Sequence, residues 1–198
     1  MNDLKITGST FSNNIFIKLL KEIKHLIIKF AVITFAIFIL AFLVSIIVRP
    51  SIFGLLNWAD DKGIGVSKTP LDKFFQYIIN NGIKVPMQMF ILSIIPIPFL
   101  YYLPVALTAA VTGFMFYLPF SSDLQGKLVF SDILLDILPH SLIEILAFFI
   151  LLAIQYQLNE AIRYRVFKHK PLEEKWSNIL KKAFLSYLLA FPIFVFAA

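Results

Sequence analysis

The chain has 198 residues, 59% of them hydrophobic and 15% charged, with a net charge of +6 and no Cys. A soluble domain carries roughly 45–50% apolar and about 25% charged residues, and one globular core of this size has no room for the excess. The composition leaves little place for a soluble enzyme, a disordered tail or a nucleic-acid-binding domain, and points to an integral membrane protein. Without Cys there is no disulfide framework, thiolate nucleophile or cysteine metal site.

Residues 1–12 are polar. From Phe16 to Lys29 the apolar positions Leu19, Leu20, Ile23, Leu26 and Ile27 recur at helical spacing, with Lys18, Lys21, Lys24 and Lys29 between them. This stretch, 1–29, reads as a cytoplasmic amphipathic helix. Two placements stay open: flat on an anionic membrane face, or an extension of the span that follows. Phe30 to Val48 is uncharged and ends at Arg49-Pro50. At about 1.5 Å per residue it fits a hydrocarbon layer of roughly 30 Å. It is too long for the apolar region of a signal peptide, so it reads as a retained span.

Residues 49–73 form a polar connection. Val85 to Phe120 is again uncharged, and Pro86, Pro96, Pro98, Pro104 and Pro119 interrupt it. The preceding residues 74–84 are apolar enough to enter the bilayer if their polar groups find partners. The reading is therefore one span near 74–95 and another near 99–118, turning at Ile-Pro-Ile-Pro. Each proline frees backbone groups that neighbouring helices must satisfy. Ala109, Ala110 and Gly113 are small enough for close helix contact. A fourth span covers 133–158. Residues 159–182 are basic, and 183–198 form a last apolar run that is short for a span.

The fold class predicted is an all-α, polytopic transmembrane bundle of about five spans, occupying 30–198 in a bacterial cytoplasmic membrane. The N-terminal lysines and the seven bases between Arg163 and Lys182 should share the cytoplasmic side. They do so only if 74–120 makes two crossings or a re-entrant pair.

The fourth span carries Asp136, His140 and Glu144, spaced i, i+4, i+8 and so near one helix face. Ionisable groups at that depth cost at least ~2.5 kcal/mol each and face the protein interior. Metal binding by His140 and Glu144 lacks a third ligand, and no metal or other cofactor is assigned. An acid–base pair lacks a nucleophile motif. A proton relay and a buried packing network are the other readings. As partners, Lys84 is expected to pair with Glu144, and Asn80 or Asn81 to hydrogen-bond His140. Arg163, Arg165, Lys168 and Lys170 offer a docking face for an acidic protein or anionic lipid. Nothing marks a nucleic-acid partner.

Leu138-Pro139-His140-Ser141-Leu142-Ile143-Glu144 resembles the Pro-His-Gly-x-x-Glu signature of the stage II sporulation protein M-like membrane family, and Asn80-Asn81 resembles the Asn-Asn of its second span. The order of spans agrees over 16–198. Ser141 stands where the family often has Gly, Thr112-Gly113 where it often has Asn-Gly, and the final carboxylate is missing. The resemblance implies a non-enzymatic membrane component of a peptide maturation, export or immunity complex. In that setting, beside circular bacteriocin genes, the partners are a cytoplasmic ABC-type ATPase and a hydrophobic peptide. A scaffold for cell-wall remodelling enzymes and an intramembrane enzyme using His140 and Glu144 are the alternatives.

Overall fold

A computed structural model describes residues 7–50, 69–120, 138–167 and 175–197, and side chains from residue 17 onward within these ranges except at 70, 73 and 138–140. All its regular structure is helical. The elements in chain order are α1 (Thr7–Val48), α2 (Pro70–Tyr77), a π-helical segment (Ile78–Lys84), α3 (Val85–Ile94), α4 (Leu103–Met115), α5 (Leu138–Phe167) and α6 (Trp176–Ala197). Single 3-10 turns, Leu100–Tyr102 and Leu118–Phe120, flank α4.

The first helix runs unbroken through residues 29 and 30, because no Pro, Gly or cap interrupts it there. Its basic half continues the span against the bundle core and does not lie apart from it. Leu19, Ile23, Leu26 and Phe30 form a buried stripe along it, while Lys18, Lys21 and Lys24 are exposed. The extension reading of this stretch is thus the one realised. The helix stops where Arg49 takes a left-handed φ of 48° and Pro50, which has no N–H, follows.

Two other boundaries differ from those read in the sequence. Helix α5 continues to Phe167, past the expected end at 158, since nothing in Asn159–Phe167 breaks a helix. Helix α6 begins at Trp176 and has 22 residues, about 33 Å at 1.5 Å per residue, so the last apolar run is part of a full-length span. Residues 133–137 of the expected fourth span lie outside the described residues.

Four helical stretches are long and apolar enough to cross a membrane: Ile17–Val48, Leu100–Phe120, Ser141–Phe167 and Trp176–Ala197. The α2–α3 rod carries Asp72, Gln76, Asn80, Asn81, Lys84 and Gln88 and is the most polar of the five. It runs the length of the bundle none the less. Tyr77 sits beside Glu144 and Ser93 beside Asn159, so the rod is parallel to α5. Helices α1 and α4 are also parallel, with Phe30 against Tyr102, Phe38 against Phe116, and Phe42 against Phe120. Helix α5 runs the opposite way. Its Tyr156 meets Phe30, and its Phe148 meets Phe194 of α6.

The five rods therefore alternate in direction, with four reversals. Both basic stretches arrive at one end, where the Lys182 ammonium pairs with the Glu22 carboxylate. Lys29 lies over the rings of Phe99 and Tyr156, at 5.8 and 5.5 Å, a cation–π contact at the edge of the aromatic core.

The tightest seam is α1 against α4. Gly113 is buried, and a Cβ added there would collide with the carbonyl oxygen of Phe38 and stand 3.1 Å from the Ala41 Cβ. The obstacle is backbone, so no side-chain rotation relieves it. Gly113→Ala must push α1 from α4, and overpacking of this kind costs roughly 1–3 kcal/mol. In a thermal melt of the detergent-solubilised protein it should lower Tm by several degrees, whereas Ala110→Leu, on a half-buried neighbouring position, should lower it less.

A second seam closes the Ile-Pro-Ile-Pro turn. The Ile97 N–H turns back to the Ile95 carbonyl, and Pro96 and Pro98 donate nothing. Asn159, 1% exposed, fills the gap: its amide donates to Ser93 O at 3.0 Å and Ile95 O at 2.7 Å. Its own oxygen accepts from Arg163 Nε at 3.0 Å. Asn159→Leu strands the Ser93 carbonyl, removes one of the two bonds to the Ile95 carbonyl and should destabilise the bundle by about 1–3 kcal/mol. The amides of 93–99 should then exchange hydrogen faster, with those of α1 little changed.

Candidate functional site

The polar site is built where the α2–α3 rod departs from α-helical geometry. In an α-helix the N–H of residue 86 would bond to the carbonyl of Gly82. Residue 86 is proline, so that donor is missing and the ring crowds the same carbonyl. Asn80, Asn81 and Gly82 are poor helix formers, and the chain widens to a π-helix over Ile78–Lys84, with the Val85 N–H reaching back to Asn80 O. The Gly82 carbonyl is then bonded from outside the rod: Tyr187 of α6 donates its hydroxyl to it at 2.9 Å. Such single-turn π segments recur at functional sites.

The widened turn presents a short polar chain to α5. Asn80 Nδ2 donates to Asn81 Oδ1 at 2.6 Å. The Tyr77 hydroxyl, one turn earlier, has the Asn81 side chain and the Glu144 carboxyl as polar neighbours. It is buried and closes no hydrogen bond of standard geometry with either. A phenol beside a carboxyl group either donates to the carboxylate or accepts from the acid, so a small tilt of either side chain completes the link. Glu144 itself is partly buried.

The residues singled out in the sequence fare unevenly. Asn80, Asn81 and Glu144 are brought to one level of the bundle, with Tyr77 joining them. Lys84 does not join them: it is exposed and makes no ion pair with Glu144, the ion pair found among the described residues being Lys182 with Glu22. The expected Lys84–Glu144 pair is thus corrected. Lys84 ends the π segment on an exposed position, and a phenol takes the position beside the carboxyl group. Asp136 lies outside the described residues. His140 is on the first turn of α5, but its side chain, and with it the expected bond to Asn80 or Asn81, lies outside them too. No group of three or more His, Asp or Glu able to hold a metal is found among the described residues.

Three participants went unnoticed in the sequence. Tyr77 falls four residues before Asn81 and so on its face, a spacing that was legible. Tyr187 is signalled only by the carbonyl that Pro86 leaves open. Asn159 shares a face with Glu144, fifteen residues on, together with Gln155, whose buried Oε1 has no partner. At the basic end, Arg165 is exposed and Arg163 is occupied by Asn159, while Lys168 and Lys170 lie outside the described residues.

Compared with known proteins, the chain matches a family model described as Stage II sporulation protein M over residues 29–198. No curated protein and no solved structure matches it. The matched stretch includes every member of the polar site and all of the bundle except the first part of α1, before residue 29.

Polar contacts between membrane helices contribute about 0.6 kcal/mol on average. Tyr77→Phe and Glu144→Gln should therefore each be mild. In a double-mutant cycle on unfolding free energy, the two should couple by roughly 0.5–1 kcal/mol. Lys84→Met, tested against Glu144→Gln in the same way, should show no coupling.

Proposed function

The chain belongs to the stage II sporulation protein M family, and from that membership we propose that it is a non-enzymatic, multispan component of a peptide maturation, export or immunity complex. In this reading it sits in a bacterial cytoplasmic membrane and works with a cytoplasmic ABC-type ATPase on a hydrophobic peptide. Circular bacteriocins are the cargo class that the family resemblance suggests. The chain supplies the membrane path and the docking face, and the partner supplies nucleotide hydrolysis.

The observation that carries the reading is the basic end of the bundle. It gathers charges from three separate helices: Lys18, Lys21 and Lys24 of α1, Arg165 of α5, and Lys181 of α6 are all exposed there. Retained positive charge marks the cytoplasmic side of a membrane protein, so this end faces the compartment that holds an ATPase. The α1 and α5 helices also continue well beyond the length that a roughly 30 Å hydrocarbon layer requires. In this reading they carry the α1 and α5 charges out of the membrane on helix and not on loop.

Arg165 and Lys181 are the residues to reverse, because both are exposed, whereas Arg163 also holds the Asn159 clamp. Affinity purification of the full chain from its native membranes should bring down an ATP-binding subunit. The Arg165→Glu, Lys181→Glu double variant should reduce that subunit about tenfold, equivalent to about 1.4 kcal/mol, with the bundle's melting unchanged. Equal recovery with the reversed charges, or no ATP-binding subunit with either protein, would remove the ATPase from the reading.

A further inference from the structure

Helices α4 and α5 both pack on α1 but have few or no direct contacts with each other. Between them, against α1, lies a cavity of about 440 Å³. Its walls include Thr34 and Phe38 from α1, Thr108 and Thr112 from α4, and Ser141 and Ile145 from α5. The hydroxyls on the first two walls are already engaged. Thr34 bonds Tyr102 at 2.8 Å, Thr108 donates to Pro104 O at 3.0 Å, and Thr112 donates to Thr108 O at 2.9 Å. They present methyl groups and no unmet polar demand. Toward the basic end the lining stops at Ala31 and Val105, next in sequence to the ring cluster of Phe30, Tyr101, Tyr102 and Tyr156. On its flank, the lining residues Phe35 and Leu142 are 64% and 58% exposed, on the side of the helices that faces lipid.

Size and chemistry select the occupant. The lining runs from Ala31 to Phe38 on α1, from Val105 to Phe116 along α4 and from Ser141 to Phe149 on α5, about 10–17 Å along the helix axes at 1.5 Å per residue. That is roughly half of a 30 Å hydrocarbon layer, the reach of one lipid leaflet and too short a wall to seat a membrane-spanning peptide along its length. An extended peptide would bring N–H and C=O groups that need partners in the membrane, and Thr108 and Thr112, whose protons are already given to backbone carbonyls, have no donor left for its C=O groups. An unbranched alkyl chain needs no polar partner and gains about 0.8 kcal/mol for each CH₂ it buries.

We propose that this cavity holds one acyl chain of a bilayer phospholipid, which enters sideways between α4 and α5. The site is separate from the polar cluster at Glu144 and does not depend on the reading of the chain as a transport component.

The test is native mass spectrometry of the full chain in detergent with dioleoylphosphatidylcholine as the probe. One phospholipid should stay bound at a collision energy that strips the others. Thr112→Phe, which fills the cavity from α4, should reduce that occupancy at least fivefold, and Thr112→Val, which keeps the size and loses only a spent hydroxyl, should leave it unchanged. Ser141→Phe fills the same space from α5 and gives an independent reading if Thr112→Phe does not fold. No retained lipid, or equal retention in folded filling variants, would overturn the proposal. Displacement of the phospholipid by sodium oleate at equal concentration would overturn the phospholipid as source in favour of a free fatty acid. Displacement by an apolar twenty-residue helical peptide, with oleate ineffective, would make it a peptide site.

Discussion

The close approach of α1 and α4 at Gly113 is the contact on which the remaining architecture depends. With no Cβ in the way, the Phe38 carbonyl lies against the α4 backbone, and the two helices run parallel in fixed register. That register sets the aromatic pairs Phe38–Phe116 and Phe42–Phe120. It also aligns Thr34 with Tyr102, which share a hydrogen bond at 2.8 Å. Because α1 is committed to α4 on one side and to α5 on another, the last two helices stand apart, and the cavity between them follows. In a bilayer no hydrophobic force drives helix to helix, so van der Waals fit at small residues has to do this.

The second constraint is that backbone groups freed inside a membrane must be bonded within the protein. The α2–α3 rod breaks that rule twice, at Pro86 and at the Pro96–Pro98 turn, and each break is answered by a side chain from another helix. Tyr187 of α6 bonds the Gly82 carbonyl, and Asn159 of α5 bonds Ser93 O and Ile95 O. The least apolar of the five helical rods is thereby fixed between α5 and α6 at two levels. The polar site at Glu144 lies beside the first of these attachments. Site and scaffold are one arrangement: the distortion that opens the rod to Tyr187 also brings Tyr77 and Asn81 toward the carboxyl group.

Much of the fold was legible because membrane spans announce themselves by length and hydropathy. The uncharged run from Phe30 to Val48 and its stop at Arg49-Pro50 required no tertiary information. The parity of crossings followed from the two basic stretches, and the small residues at 109–113 pointed to a close seam. The ends of α5 and α6 were misplaced because polar residues beyond a hydrophobic run say nothing about whether the helix continues. At the site, Glu144 and Asn80-Asn81 were visible as polar groups in apolar surroundings. Lys84 was misassigned to Glu144 because depth along the rod was counted as if it were an unbroken α-helix. The π segment rotates everything after it.

The composition, 59% hydrophobic and 15% charged, together with an uncharged run as long as Phe30 to Val48, determined by itself that the protein belongs in a membrane and is helical, since an apolar run of that length spans as a helix that satisfies its own backbone. The positions of the few charges determined which ends of the helices lie together. Only the tertiary structure decided which helices touch, that Tyr77 and not Lys84 stands beside Glu144, and that a cavity opens between α4 and α5. These depend on interhelical register and on bonds between residues more than sixty positions apart, such as Asn159 with Ser93. No local period in the sequence encodes them.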